Sequence, residues 1–119
     1  MQTLNDLAGW SLHAYHWLPD DDFEIDFESN EHLSLDAWSA TFKGAIAACV
    51  LGPWGDLKRS TVADAAGGLM DGVLNFGPHE LNAYQQYTLW FDDTGAPGAI
   101  VIAESLELRS FKLKRGMDL

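Results

Sequence analysis

The sequence predicts an α+β fold dominated by antiparallel β-sheet, and two observations support this fold class. Several stretches alternate apolar and polar residues with the period of two that is typical of a strand, most clearly Phe23–Glu28, where each apolar residue is followed by an acid. The helical signals are short by comparison. Thr3–Asp6 and Thr61–Asp64 have the spacing of a capping box, and glycine follows each of them within a few residues. We therefore expect one or two short helices beside the sheet.

The strands follow from the same alternation, and turn-forming residues separate them. The predicted strands are Trp10–Leu18, Phe23–Glu28, His32–Ala37, Tyr84–Phe91 and Gly98–Leu108. The second and third are expected to form a hairpin. Residues 38–51 fit both a helical stripe and a strand, and their alanine and lysine content favours the helix. The predicted core residues are Phe23, Ile25, Phe27, Leu33, Leu35, Tyr87, Leu89, Phe91, Ile100 and Ile102.

A faint internal repeat accompanies these strands. Phe23–Glu28 and residues 87–92 share the pattern aromatic, any residue, aliphatic, any residue, Phe, acid. Two related β-meanders that pack together would explain the pattern, and so would two unrelated amphipathic hairpins. Both alternatives stay open at this stage.

Length and composition predict a single domain that spans residues 1–119. A chain of 119 residues with 47% hydrophobic residues can bury its own core without cross-links. Its one cysteine, Cys49, excludes an internal disulfide, and a cytoplasmic location is expected. The sequence shows neither a run of about twenty apolar residues, which a membrane-spanning helix needs, nor the pattern of a signal peptide.

The charge is strongly acidic and unevenly distributed. The net charge is −11, and the nine acidic residues that precede Lys43 have no basic residue among them. Residues 109–119 carry four basic side chains against one acid and are predicted to form a short basic tail. Because such a field repels phosphates, nucleic acids and anionic membranes are not expected as partners.

No motif in the sequence predicts catalysis, a cofactor or a metal. His13 and His16 are three residues apart, so on a regular strand they point to opposite faces and cannot share an ion. Asp20, Asp22, Glu24 and Glu31 have the spacing of a calcium loop. That loop requires glycine at its sixth position, which here is Ile25, and a strand is the favoured interpretation.

The acidic strand is the feature that indicates function. On the strand interpretation Asp22, Glu24, Asp26 and Glu28 lie on one face, with carboxylates about 7 Å apart, and such a line complements a groove of Lys and Arg. Trp54, in a Gly-Pro-Trp-Gly turn, and Trp90, out of phase with the apolar residues of its strand, are expected to face outwards as anchors unless a second layer covers them. The predicted partner-binding residues are Asp20, Asp21, Asp22, Glu24, Asp26, Glu28, Glu31, Trp54 and Trp90.

In length, in acidic composition and in its lack of export signals, the chain resembles the immunity proteins of bacterial polymorphic toxin systems. An inhibitor of a host nuclease encoded by a phage would share these features. The resemblance implies a binding-only protein, monomeric or dimeric, that covers the active site of a basic effector and is not itself an enzyme. The alternative function is an accessory subunit that forms homo-oligomers through its sheet edges.

Overall fold

A computed structural model of the protein describes residues 3–52, 54–66, 81–93 and 95–113, with Leu81 described by its backbone alone. These residues form eight strands in two antiparallel sheets, with two short 3-10 turns at Leu4–Leu7 and Leu81–Ala83. The strands are β1 (Ser11–Trp17), β2 (Phe23–Glu28), β3 (Asp36–Lys43), β4 (Ala47–Val50), β5 (Arg59–Asp64), β6 (Gln85–Trp90), β7 (Ala99–Ala103) and β8 (Ser105–Lys112). The predicted β-rich fold class is confirmed.

Each sheet contains a meander and one strand from the other half of the chain. The first sheet has the order β1-β2-β3-β8, and the second has the order β4-β7-β6-β5. The meanders are therefore β1-β2-β3 and β5-β6-β7, and the strand that follows each of them crosses to the opposite sheet. The two segments that repeat in the sequence fall on the middle strands β2 and β6. This arrangement agrees with the prediction of two meander units packed together.

The two sheets are joined by a long pair of strands that bends. β3 continues into β4 and pairs with β8, while β7 continues into β8 and pairs with β4. At the bend, the backbone N–H of Glu104 donates to the carbonyl of Lys43 at 2.9 Å, and Gly44 has a φ of +59°. Strands that switch sheets at bends of this kind form the corners of β-sandwiches.

Residues 55–57 form a second corner. The Leu57 N–H donates to the Trp10 carbonyl at 2.8 Å, and the Leu12 N–H donates to the Gly55 carbonyl at 3.1 Å. The chain then enters β5, which pairs with β6 in the second sheet. Beside this corner, the Ser11 hydroxyl donates to Asp56 Oδ1 at 2.5 Å, and hydrogen bonds from Ser11 and Asn30 lower the pKa of Asp56.

Asp56→Asn is expected to lower the free energy of unfolding by about 1 kcal/mol near neutral pH, because it weakens hydrogen bonds to a partly exposed carboxylate. A lowered pKa stabilises the fold above the unfolded-state pKa, and that contribution is lost as the pH falls through the folded-state value. The difference in the free energy of unfolding between parent and variant should therefore shrink below about pH 4. Urea unfolding at neutral and at acidic pH measures this difference. Asp93→Asn, at an exposed acid, is the control, and a gap that does not change with pH would contradict this assignment.

The core lies between the sheets and confirms most of the predicted core residues. Side chains of β2 and β3 pack against those of β6 and β7, and Leu4, Leu7 and Leu57 complete the cluster. The buried residues that were predicted in this cluster are Phe23, Ile25, Phe27, Tyr87, Leu89 and Phe91. Ile100 and Ile102 are also buried, but they belong to a separate cluster that includes Ala65.

Leu33 and Leu35 were predicted in the core, and the prediction is wrong for Leu33. Its side chain is 77% exposed and its φ is +62°, because residues 31–34 form a turn rather than a strand. Leu35 is half-buried. The partner of β2 in the hairpin is therefore Asp36–Lys43 and not the predicted strand at His32–Ala37.

The helical interpretation of residues 38–51 was wrong, since most of these residues belong to β3 and β4. β3 pairs with β2 on one side and with β8 on the other, and this pairing outweighs a helix propensity of a few tenths of a kcal/mol per residue. The capping-box spacing of Thr61–Asp64 likewise lies in a strand, β5.

The last predicted strand and the basic tail also differ from expectation. Gly98–Leu108 is divided at Glu104 into β7 and β8. β8 reaches Lys112, so Arg109 and Lys112 lie on a strand and only the end of the predicted tail, from residue 114, falls outside the described residues. In the part of the chain that the structure describes, no helix has the length and apolar character needed to cross a membrane.

Candidate protein-binding surface

The turn between β1 and β2 separates three consecutive acids into two kinds. Asp22 is buried, with its carboxylate 2.7 Å from Lys43 Nζ and accepting the Gly44 N–H at 2.9 Å. The Lys43 hydrogen bond is the main reason that the pKa of Asp22 is lowered. Asp22 thus anchors the turn to the bend after β3. Asp20 and Asp21, called the turn acids below, are exposed.

Glu24, Asp26 and Glu28, called the acid row below, lie on the outer face of the first sheet. Their alternation along β2 is as predicted, but all three are half-buried rather than fully exposed to water. The reason is that β2 is a central strand with neighbours on both sides.

Two histidines of β1 cover part of the acid row. His16 Nε2 lies 3.0 Å from Glu24 Oε1, and His13 Nδ1 lies 3.3 Å from Glu28 Oε2. The two histidines thus pair with different acids. Because of these pairs, less of the acid row is free for a partner than the sequence suggested.

Asp26 is the least solvated member of the acid row. Its Oδ1 atom is buried and has no hydrogen-bond partner among the described residues. Burial raises the pKa of its carboxyl group, and the negative charge of Glu24 raises it further. Both effects weaken the preference of the Asp26 carboxyl group for its charged form.

Glu31 is exposed but lies apart from the turn acids. It follows β2, whereas Asp20 and Asp21 precede it, so the six residues of that strand separate them. At about 3.4 Å per residue this distance is roughly 20 Å. The structure therefore does not gather all the predicted acids into one contact area.

Three aromatic side chains near the turn acids form what we call the aromatic patch: Tyr15, Trp17 and Trp54. They are 40%, 51% and 51% exposed, respectively. The rings of Tyr15 and Trp54 meet edge to face with centroids 5.6 Å apart, and Trp17 stands against Phe23 at 5.2 Å. The ring of Tyr15 also lies 6.3 Å from that of Phe23, so the buried Phe23 connects Trp17 with Tyr15 and Trp54.

The aromatic patch depends on an irregularity that the sequence analysis missed. The register of β1 against β2 shifts between Leu12 and Ala14, which leaves His13 in a bulge. Before the shift Leu12 pairs with the buried Phe27, and after it Tyr15 and Trp17 pair with the buried Ile25 and Phe23. The signal available in the sequence was the aromatic content of Tyr15 and Trp17, since strict alternation does not reveal a bulge.

Trp90 does not face outwards, so this expectation was wrong. It is 9% exposed, the Arg59 guanidinium lies 3.8 Å from its ring centroid, and its Nε1–H donates to the Gly95 carbonyl at 3.1 Å. The ring face and the indole N–H of Trp90 therefore both have partners within the chain. Of the two predicted aromatic anchors, Trp54 alone is exposed.

Comparison of the chain with protein-family models, with curated proteins and with solved structures found no match.

Proposed function

We propose that this protein is a binding-only inhibitor that neutralises a basic effector, in the manner of an immunity protein, by covering the effector's active site. The observation that carries the proposal is the aromatic patch beside the turn acids. Exposed Trp and Tyr side chains that touch one another are typical of the energetic centre of an interface, and an acidic rim selects a basic partner.

The patch and the turn acids are close along the chain as well. Asp20 follows Trp17 by three residues, which spans at most about 11 Å. A partner seated on Tyr15, Trp17 and Trp54 would therefore meet carboxylates at the edge of the contact. The net charge of −11 would accelerate its approach.

The pairing of the acids supports a contact at the turn acids rather than at the acid row. Glu24 and Glu28 pair with histidines, and Asp22 pairs with Lys43. A charge reversal at any of these positions would disturb the sheet as well as the contact. Asp20 offers a cleaner test because its side chain is exposed.

The first experiment identifies the partner by its effect. Genes that neighbour the gene for this protein are expressed singly in a bacterial host, with and without the protein. We expect one product to arrest growth only when the protein is absent, and to form a complex with it after purification. A salt-resistant homodimer, with no toxic neighbour suppressed, would contradict the proposal and favour the accessory subunit.

The second experiment locates the contact on the purified pair. Trp54→Ala is expected to weaken binding by about tenfold or more, as loss of an interface anchor does. Asp20→Lys is expected to slow association mainly at low salt, because screening limits exposed charges to about 8 Å at physiological ionic strength. Association and dissociation rates at low and high salt measure both effects.

Two matched variants control for composition and for overall charge. Val62→Ala alters another exposed apolar side chain, which lies on β5. Glu31→Lys makes the same charge change as Asp20→Lys at the far end of β2. If either control weakens binding as much as its counterpart, the contact does not lie on the aromatic patch and the turn acids.

A further inference from the structure

We propose that His16, Glu24 and Asp26 bind a divalent transition-metal ion of the Zn²⁺ class on the outer face of the first sheet. The three residues offer one imidazole nitrogen and two carboxylate oxygens, and these atoms all lie within 4.8 Å of one another. The proposal replaces the expectation from the sequence that no metal binds. It uses neither the aromatic patch nor the turn acids, so it stands or falls independently of the proposed function.

The bulge at His13 brings the three ligands together. It shifts the register so that His16 pairs with Glu24 and Ala14 pairs with Asp26. Residues paired directly across two antiparallel strands share a face. The spacing of the two histidines in the sequence does not reveal that His16 faces the acids of the neighbouring strand.

The distances suit a small ion. His16 Nε2 and Glu24 Oε1 are 3.0 Å apart, and bonds of about 2.0–2.1 Å in a tetrahedral zinc site place neighbouring donor atoms about 3.3 Å apart. The Asp26 oxygen lies within 4.8 Å of both of these atoms, so it would have to move closer to them to complete the site. The Thr41 hydroxyl donates to Glu24 Oε2 at 3.4 Å, which is the outer-shell contact that orients a ligating carboxylate.

A second, independent observation is the unsatisfied oxygen of Asp26. Its Oδ1 atom is buried without a hydrogen-bond partner among the described residues. A buried polar atom without a partner requires an explanation, and a bound cation would supply the partner. The small side chain of Ala14 stands opposite it, and a depression of about 230 Å³ lined by Glu24, Asp26, Ser39 and Thr41 opens beside it.

The donor set distinguishes among ions. Calcium and magnesium prefer oxygen ligands alone, whereas an imidazole combined with carboxylates is typical of zinc and its neighbours. Three protein ligands leave a fourth position for water from the depression. Arg109 also lines the depression, and its guanidinium lies 3.2 Å from Glu107 of its own strand.

Calorimetric titration of the chelator-treated protein with Zn²⁺ tests the proposal. We expect one ion per chain and a melting temperature that rises with Zn²⁺. His16→Ala and Asp26→Asn should each weaken binding by at least the roughly 10–100-fold that outer-shell changes cost. His16 is exposed and its replacement should leave the fold intact, and Asp26→Asn supplies a second variant of nearly unchanged shape.

His13→Ala is the matched control, because His13 is the other exposed histidine of β1 that pairs with an acid of β2. It should bind Zn²⁺ as the parent does. The proposal is overturned if the parent shows no saturable binding, if the two histidine variants have equal affinities, or if Ca²⁺ binds as tightly as Zn²⁺.

Discussion

Replacement of Phe27 by alanine is expected to lower the free energy of unfolding by about 3–5 kcal/mol, which is the usual cost of removing a buried phenylalanine ring. Phe27 is 0% exposed and lies near the end of β2, where it pairs with Leu12 and with Trp38. Removing the ring would leave a cavity. Because β2 is hydrogen-bonded to a strand on each side, neither neighbour can move easily to fill it. Urea unfolding of parent and variant measures the difference.

Leu33→Ala is the control for this result. Leu33 was predicted in the core beside Phe27, but it is 77% exposed, so its truncation should change stability by less than about 0.5 kcal/mol. If Phe27→Ala fails to fold, Phe27→Leu should still show a smaller loss. Equal effects at Phe27 and Leu33 would contradict the strand phase that the structure assigns to this hairpin.

Replacement of Gly98 by alanine is expected to cost about 1–3 kcal/mol, as overpacking of a filled core does. A Cβ atom at this position would overlap Cδ2 of Phe91, closer than real Cβ atoms approach other atoms. Phe91 is itself buried in the core and cannot simply swing away. The Gly98 N–H also donates to the Leu89 carbonyl at 2.8 Å, which holds the backbone in place.

Gly55→Ala is the matched control, because a Cβ atom there would meet nothing within 4 Å. Its stability should be unchanged or slightly raised, since alanine restricts the unfolded chain. Adding Phe91→Leu to Gly98→Ala should recover part of the loss, and a double-mutant cycle would show this as non-additivity. Strict additivity of the two changes would contradict a steric cause.

The strands β2 and β6 could be located from their alternation in the sequence. The alternation reports burial directly only in β2, because both faces of β6 are buried. Ile25 and Phe27 alternate with acids because one face of the strand is buried and the other faces water. This pattern does not depend on which strands pair with it. The turn before β2 was predicted from its turn-forming residues, Pro19 to Asp22. The exposed position of Trp54 followed from the Gly and Pro residues around it, which favour a loop.

β3 and the candidate site could not be predicted in the same way. In β3, buried residues lie on both faces because strands cover both of its sides, so its pattern fits helix and strand equally. The burial of Trp90 depends on Arg59, a residue far away in sequence. His16 joins Glu24 and Asp26 only through a bulge, and a bulge has no reliable signature in a single sequence.

The sequence by itself therefore determined that this chain is an acidic, β-rich protein whose second strand has one apolar and one acidic face. The tertiary structure alone decided which acids remain free, since Asp22 lies against Lys43 whereas Asp20 is exposed. It also decided which aromatic rings reach the surface. The physical reason is that local periodicity fixes which face of a strand is apolar, whereas exposure depends on neighbours that only the pairing of distant segments supplies.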